Sequence, residues 1–185
     1  SELSIIPVRS ESSDKAEMVS QILFGEHFKV LENRKKWSRI RLSHDNYEGW
    51  ICNKQWLEIE EETYKILTKE VSTMTIDILD VITKDYPQPI VIGSILPSYK
   101  SGYALIGEIM YQFDGLTTPG FSKKEKLIDS ALMYLNAPYL WGGRSPLGID
   151  CSGLTQMVYR LQGIDIPRDA CQQAEIGTTL SLIEE

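Results

Sequence analysis

No apolar run in this chain approaches the length of a membrane span, which excludes a spanning helix within these residues. Positive charge is in short supply: 19 Lys and Arg stand against 26 Asp and Glu, a formal net charge of −7, with no basic run or basic helix. That balance argues against nucleic acid and anionic lipid as partners. Cysteine is sparse as well. The three present, Cys52, Cys151 and Cys171, are an odd number at unrelated spacings, so no disulfide framework and no metal-ligand pattern emerges and at least one thiol should be free. No metal and no organic cofactor is implied. Histidine occurs only as His27 and His44. An initiator methionine is missing too, since the chain starts Ser1-Glu2-Leu3, which predicts that an N-terminal segment has been removed; no signal segment is visible. What is plentiful is apolar side chain, 42% of 185 residues, enough for one large or two to three small packed domains.

Three segments follow from the patterning, at 1–60, 63–118 and 120–185. In the first, the runs 17–24, 27–31, 37–42 and 49–52 read as strands separated by turn signals at Gly25, Asn33 and Asp45-Asn46. Ser38, Ile40 and Leu42 alternate with Trp37, Arg39 and Arg41 at period two, and a small, twisted β-barrel is the simplest fold for such runs. Trp37, Trp50 and Trp56 are expected in its core. The acidic run from Glu58 to Glu62 reads as a solvated connector. In the second segment, strands are predicted at 64–67, 90–92, 103–106 and 108–113, punctuated by Pro87, Pro89, Pro97, Gly102 and Asp114-Gly115. A second small barrel fits this stretch; an enlargement of the first barrel or a β-rich linker fits as well.

The third segment opens on Ser122-Lys-Lys-Glu125, a capping-box pattern. Leu127, Ile128, Ala131, Leu132 and Leu135 then form a core-facing stripe that stops before Pro138. A glycine-rich loop, Tyr139-Leu-Trp-Gly-Gly-Arg-Ser-Pro-Leu-Gly-Ile-Asp-Cys151-Ser-Gly153, leads into a second helix, marked by Leu154, Met157, Val158 and Leu161 and by a left-handed cap at Gly163. Cys151 falls in that helix's first turn, where unpaired backbone N–H groups and the positive end of the macrodipole favour the thiolate that attacks carbonyl carbon. A cysteine beside a glycine-rich turn is often just a small buried apolar residue. Four glycines, Asp150 and Ser152 around the thiol point instead to a nucleophile. Trp141 is expected to shape the loop.

The run Tyr-x-Trp-Gly-Gly…Asp-Cys-Ser-Gly-Leu, followed by Ile166-Pro-Arg-Asp169 and Gln173, resembles the first half of an NlpC/P60 domain. Gln21-Ile-Leu-Phe-Gly-Glu26, Trp37 and Tyr47-Glu-Gly-Trp-Ile51 resemble a bacterial SH3 (SH3b) module. The resemblance implies an α+β chain: two small SH3b-like β-barrels followed by the N-terminal helical half of a papain-like cysteine peptidase domain. Its implied activity is cleavage of the γ-D-Glu–L-diamino acid bond of peptidoglycan stem peptides carrying a free N-terminal L-Ala, by a monomer in the cell envelope, periplasmic or extracellular. Carried over by motif position, Cys151 is the nucleophile. Glu17 pairs with the substrate ammonium (Glu26 is the rival), Tyr47 narrows the pocket, Asp150 and Ser152 complete it, and Tyr139 lies near the oxyanion. The family's catalytic histidine lies downstream of the cysteine, and no histidine follows Cys151 here. With the cysteine motif intact, this is expected to be a piece of a longer enzyme, inactive alone; a non-catalytic wall-binding adaptor or truncated pseudoenzyme is the alternative.

Overall fold

The computed structural model describes residues 1–118 and 126–179. Five strands, β1 (Ile5–Arg9), β2 (Met18–Leu23), β3 (Phe28–Asn33), β4 (Trp37–Leu42) and β5 (Glu48–Cys52), form an antiparallel sheet in the order β2-β1-β5-β4-β3. The period-two pattern of β4 is realised: Ser38, Ile40 and Leu42 are buried while Arg39 and Arg41 reach solvent and grip Glu48 on β5. Ile6, Val8, Ile22, Ile40, Leu42 and Ile51 fill the interior, with Trp56 against them. Trp37 and Trp50 are only half-buried, and Arg34 stacks over the Trp50 ring at 4.2 Å. Strands β2 and β3 are the edges of the ladder, and no hydrogen-bonded closure joins them among the described residues.

A helix, α1 (Glu61–Lys69), replaces the strand predicted at 64–67. Glu61 and Glu62 sit at the positive end of the macrodipole, Lys69 at the negative end, and Lys65 pairs with Glu61 one turn away at 2.8 Å. Part of the expected acidic connector is therefore this helix's first turn. Beyond it, β6 (Thr73–Thr75), β7 (Leu79–Thr83), β8 (Pro87–Val91), β9 (Ile95–Leu96), β10 (Tyr103–Ile106), β11 (Ile109–Gln112) and β12 (Thr117–Thr118) form two antiparallel sheets, β10-β11-β7-β8 and β12-β6-β9. Pro87 and Pro89, read as breakers, lie within β8. That strand is at the edge of its sheet, where a residue without an N–H is tolerated.

The third segment carries α2 (Leu127–Leu132), a short hairpin of β13 (Arg144–Ser145) and β14 (Gly148–Ile149), α3 (Cys151–Arg160) and α4 (Ala170–Ile176). The capping box at Ser122 and Glu125 lies outside the described residues. The core stripe expected on α2 is corrected: Ile128 is 73% exposed, Leu132 57% and Leu135 69%. The helix ends at Leu132, and the turn that follows, with Asn136 in the left-handed region, sends Tyr134 inward instead. On α3 the expected stripe holds, with Met157, Val158 and Leu161 buried, and Gly163 has φ +75°. Leu23 and Phe24, at the end of β2, tie the segments together. Phe24 enters the core of the second segment, edge-on to Tyr111, while Leu23 packs with Val91, Ile92, Tyr134 and Met157.

Candidate active site

Cys151 is exposed at the first position of α3, as its sequence context predicts. Asp150 caps the helix, its Oδ1 accepting the Gly153 N–H at 2.7 Å. Its Oδ2 accepts the Gly142 N–H at 2.8 Å, which draws the glycine-rich loop back onto the helix end. A Cβ on Gly153 would stand 2.3 Å from the Gly143 carbonyl oxygen, so the loop and the nucleophile helix touch backbone to backbone.

Arg168, almost wholly buried, grips the same carboxylate from the other side, donating to Oδ1 at 3.0 Å and Oδ2 at 2.7 Å. Burial alone would raise the Asp150 carboxyl. The bonds from Arg168, Gly153 and Gly142 and the Arg168 charge outweigh it and hold the group below the usual carboxylate range. Arg168 also donates to Ser152 Oγ at 2.8 Å, and Gln173 Nε2 donates to the Ser152 and Pro167 carbonyls at 2.9 and 2.8 Å. Residues 166–169 thus form a strap locked to the start of α3.

The first β-rich segment borders this assembly. Gly142, with φ +76°, lies so close to Met18 that a Cβ would fall 2.3 Å from the Met18 carbonyl oxygen. Beside that contact, Trp141 Nε1 donates to Glu17 Oε1 at 2.5 Å. Gln156 on α3 donates to Asp45 at 2.9 Å and to the Ile166 carbonyl at 3.1 Å, and the Asp169 carboxylate lies near the Tyr47 phenol. Burial and the neighbouring Asp169 charge push the Tyr47 phenol well up. Tyr139 is largely exposed and bridges to Ile149. The structure therefore places all six sequence-derived residues in three connected parts: loop and helix start (Tyr139, Asp150, Cys151, Ser152), β2 entrance (Glu17) and the β4–β5 turn (Tyr47).

Glu26, the rival to Glu17, belongs to a different feature. It is fully buried, with Arg144 donating to both its carboxylate oxygens at 3.0 Å and the Arg160 guanidinium ion-paired with it at 3.5 Å. Burial opposes its ionisation, but Arg144, His44 and Arg160 bring its pKa down to about 2. Arg144 also donates to the Gln21 carbonyl at 2.7 Å and stands 3.3 Å from His44 Nε2. The His44 side chain is largely buried beside Asp45, just past the end of β4; burial and the Arg160 charge press it below its usual value, against the pull of Glu26 and Asp45. His27 bonds Thr68 at 3.2 Å. Sequence reasoning missed Arg144, Arg160 and Arg168 because their partners are remote in the chain. Only the Ile-Pro-Arg-Asp motif hinted at Arg168.

Two clefts of about 250 and 360 Å³ share His27, Leu67, Glu70 and Ser72 on their walls, and Cys151 stands outside both. No trio of His, Cys, Asp or Glu among the described residues is placed to hold a metal ion.

Residues 8–55 match the bacterial dipeptidyl-peptidase Sh3 domain family and residues 136–184 the NlpC/P60 family. The chain is 31% identical over 179 residues to dipeptidyl-peptidase 6 of Lysinibacillus sphaericus, covering 84% of this chain and 66% of that one. It is 28% identical over 182 residues to the gamma-D-glutamyl-L-lysine dipeptidyl-peptidase of Bacillus subtilis, covering 88% and 60%. Thus it spans about two thirds of the length of these relatives or less. Its fold is similar to that of an NlpC/P60 family protein from Bacillus cereus, with a TM-score of 0.83 at 19% identity, covering 98% of this chain and 78% of that one.

Proposed function

Since the chain belongs to the NlpC/P60 family, with a bacterial SH3 module ahead of its peptidase segment, we propose that it serves a cysteine endopeptidase acting on peptidoglycan stem peptides. The bond cut is that between γ-D-Glu and the L-diamino acid, in peptides with a free N-terminal L-Ala, and the place of action is the cell envelope. The observation that carries this reading is an exposed thiol on the first residue of a helix whose cap is locked by Arg168 and bordered by the first β-rich segment. Names of the similar proteins point to the same substrate class.

In this reading the Cys151 sulfur attacks the amide carbonyl carbon, the tetrahedral oxyanion collapses to a thioester as the diamino acid's amine leaves, and water hydrolyses the thioester. A base must take the thiol proton and return it to the amine. Residues 152–185 contain no histidine for that task. Glu17 receives the peptide ammonium, and Tyr47 closes the far end of the pocket against acylated peptides. Asp150 and Ser152, already bonded to Arg168, line it beside the thiol, and Tyr139 stands by the oxyanion. The longer enzyme it serves works as a monomer and without a cofactor, and the chain by itself is inactive.

The test needs only the thiol and the pocket. An L-Ala-γ-D-Glu chloromethyl ketone, which presents its electrophilic carbon beside the γ-carbonyl, should alkylate Cys151 and spare Cys52 and Cys171 when the adducts are mapped by mass spectrometry. Free L-Ala-γ-D-Glu-L-Lys should protect the thiol. Alkylation centred on Cys171, or unaffected by the peptide, would remove Cys151 from the role.

A further inference from the structure

We propose that Trp141 is a specificity-determining positioning residue: its indole N–H orients the Glu17 carboxylate so that the second oxygen meets the ammonium of the incoming peptide. The inference rests on the reading of Glu17 given above.

Glu17 and Trp141 are 124 residues apart in the chain and joined at 2.5 Å, both on the exposed surface. An indole nitrogen can only donate, and a carboxylate only accepts, so the bond has one sense and occupies one side of one oxygen. Oε2 is left for a ligand. A glutamate alone on a surface samples many rotamers, and ordering it when a ligand arrives costs affinity. Here the ordering is done beforehand.

The bond also has a rigid mount. The residues next to each partner, Met18 and Gly142, are in backbone contact too close for a Cβ, and the Gly142 N–H is fixed to Asp150 Oδ2. Through Trp141, Gly142 and Asp150 the Glu17 carboxylate is set at a constant distance from Cys151. Such a spacing selects a peptide whose ammonium lies a fixed number of bonds from the scissile carbonyl. Trp141 keeps 61% of its surface open, so its ring face is free to meet the same cation. A neutral acylated terminus gains from neither group.

The experiment is calorimetric titration of the full chain carrying Cys151→Ala, which prevents turnover, with L-Ala-γ-D-Glu-L-Lys and with its N-acetyl form. Trp141→Phe keeps the ring and removes the donor. It should weaken the free peptide about five-fold, in line with the loss of one hydrogen bond to a charged group's orientation, and leave the acetylated peptide within two-fold. Adding Trp141→Phe to Glu17→Gln should produce no further loss. If Glu17→Gln weakens the free peptide and Trp141→Phe does not, the role of Trp141 is refuted while that of Glu17 stands. If neither matters, or the unsubstituted pocket takes up no free peptide, the Glu17 reading falls and this inference with it. Equal weakening of both peptides by Trp141→Phe would reduce the indole to a structural part and overturn the proposal. Independently of any ligand, the Trp141 indole ¹⁵N–¹H resonance should move upfield in Glu17→Gln; a resonance that stays in place would also overturn it.

Discussion

At the residue scale, Asp150 is where stability and chemistry meet. The same carboxylate caps α3, holds the glycine-rich loop and balances the Arg168 charge, so the position of Cys151 depends on a buried pair. Removing one member of such a pair strands the other without water. Arg168→Leu should therefore lower unfolding stability by about 3–5 kcal/mol, measured by urea denaturation. A much smaller loss would mean that the cap survives without its guanidinium. Alkylation of Cys151 by the chloromethyl ketone should slow in the same variant, because the helix start that presents the thiol loses its anchor.

At the scale of elements, the decisive contact is between the loop at Gly142 and the entrance to β2. An alanine there would have to hold a left-handed backbone, which costs about 1–2 kcal/mol, and to push Met18 aside, an overpacking of about 1–3 kcal/mol. Gly142→Ala should thus lose about 2–5 kcal/mol in denaturant melts, whereas Gly107→Ala, where no atom lies within 4 Å of the added Cβ, gives the cost of the left-handed backbone alone. Elements whose cause is local were legible in the sequence. The alternation of β4 and the stripe of α3 each reflect one buried face, and Asp150-Cys151 announces a helix start with its own capping chemistry. Tyr64 and Ile66 misled because their strand propensity spans only four residues, while the helix is decided by charges at its two ends. Strands of two residues, such as β9, β12 and β13, contain a single period of alternation, too little for a pattern to repeat. The pairings of Arg144 with Glu26, 118 residues away, and of Trp141 with Glu17 follow from the fold and have no sequence signal of their own.

At the scale of the whole molecule, the cluster of Glu26, His44 and Asp45 with Arg144 and Arg160 joins the first and third segments through buried charge, and acid should loosen it in two stages. His44 and His27 have folded pKa values below their usual 6.5, His27 at about 4 through burial, so the unfolded chain takes up their protons first. The stability they lend is complete above pH ~6.5 and is lost as pH falls below it, toward 4. Glu26, depressed from 4.5 to about 2, adds a second loss across that lower window. The melting temperature should decline as pH falls below 6.5 and fall more steeply below 4.5; His44→Asn should lessen the first decline, and a melting temperature level from pH 6.5 down to 5 would contradict the assignment. The prolines of β8 have a bearing at this scale too. Pro87 and Pro89 oppose Thr83 and Val81 on β7, so the donors they lack are those that would have pointed outward from the sheet, and the outward carbonyl of Pro89 is already taken by the Ser4 hydroxyl. A foreign strand laid along this margin would find no amide hydrogens at two successive outward positions and one acceptor engaged. That margin of the sheet is thereby closed to an added strand and to templated growth from it.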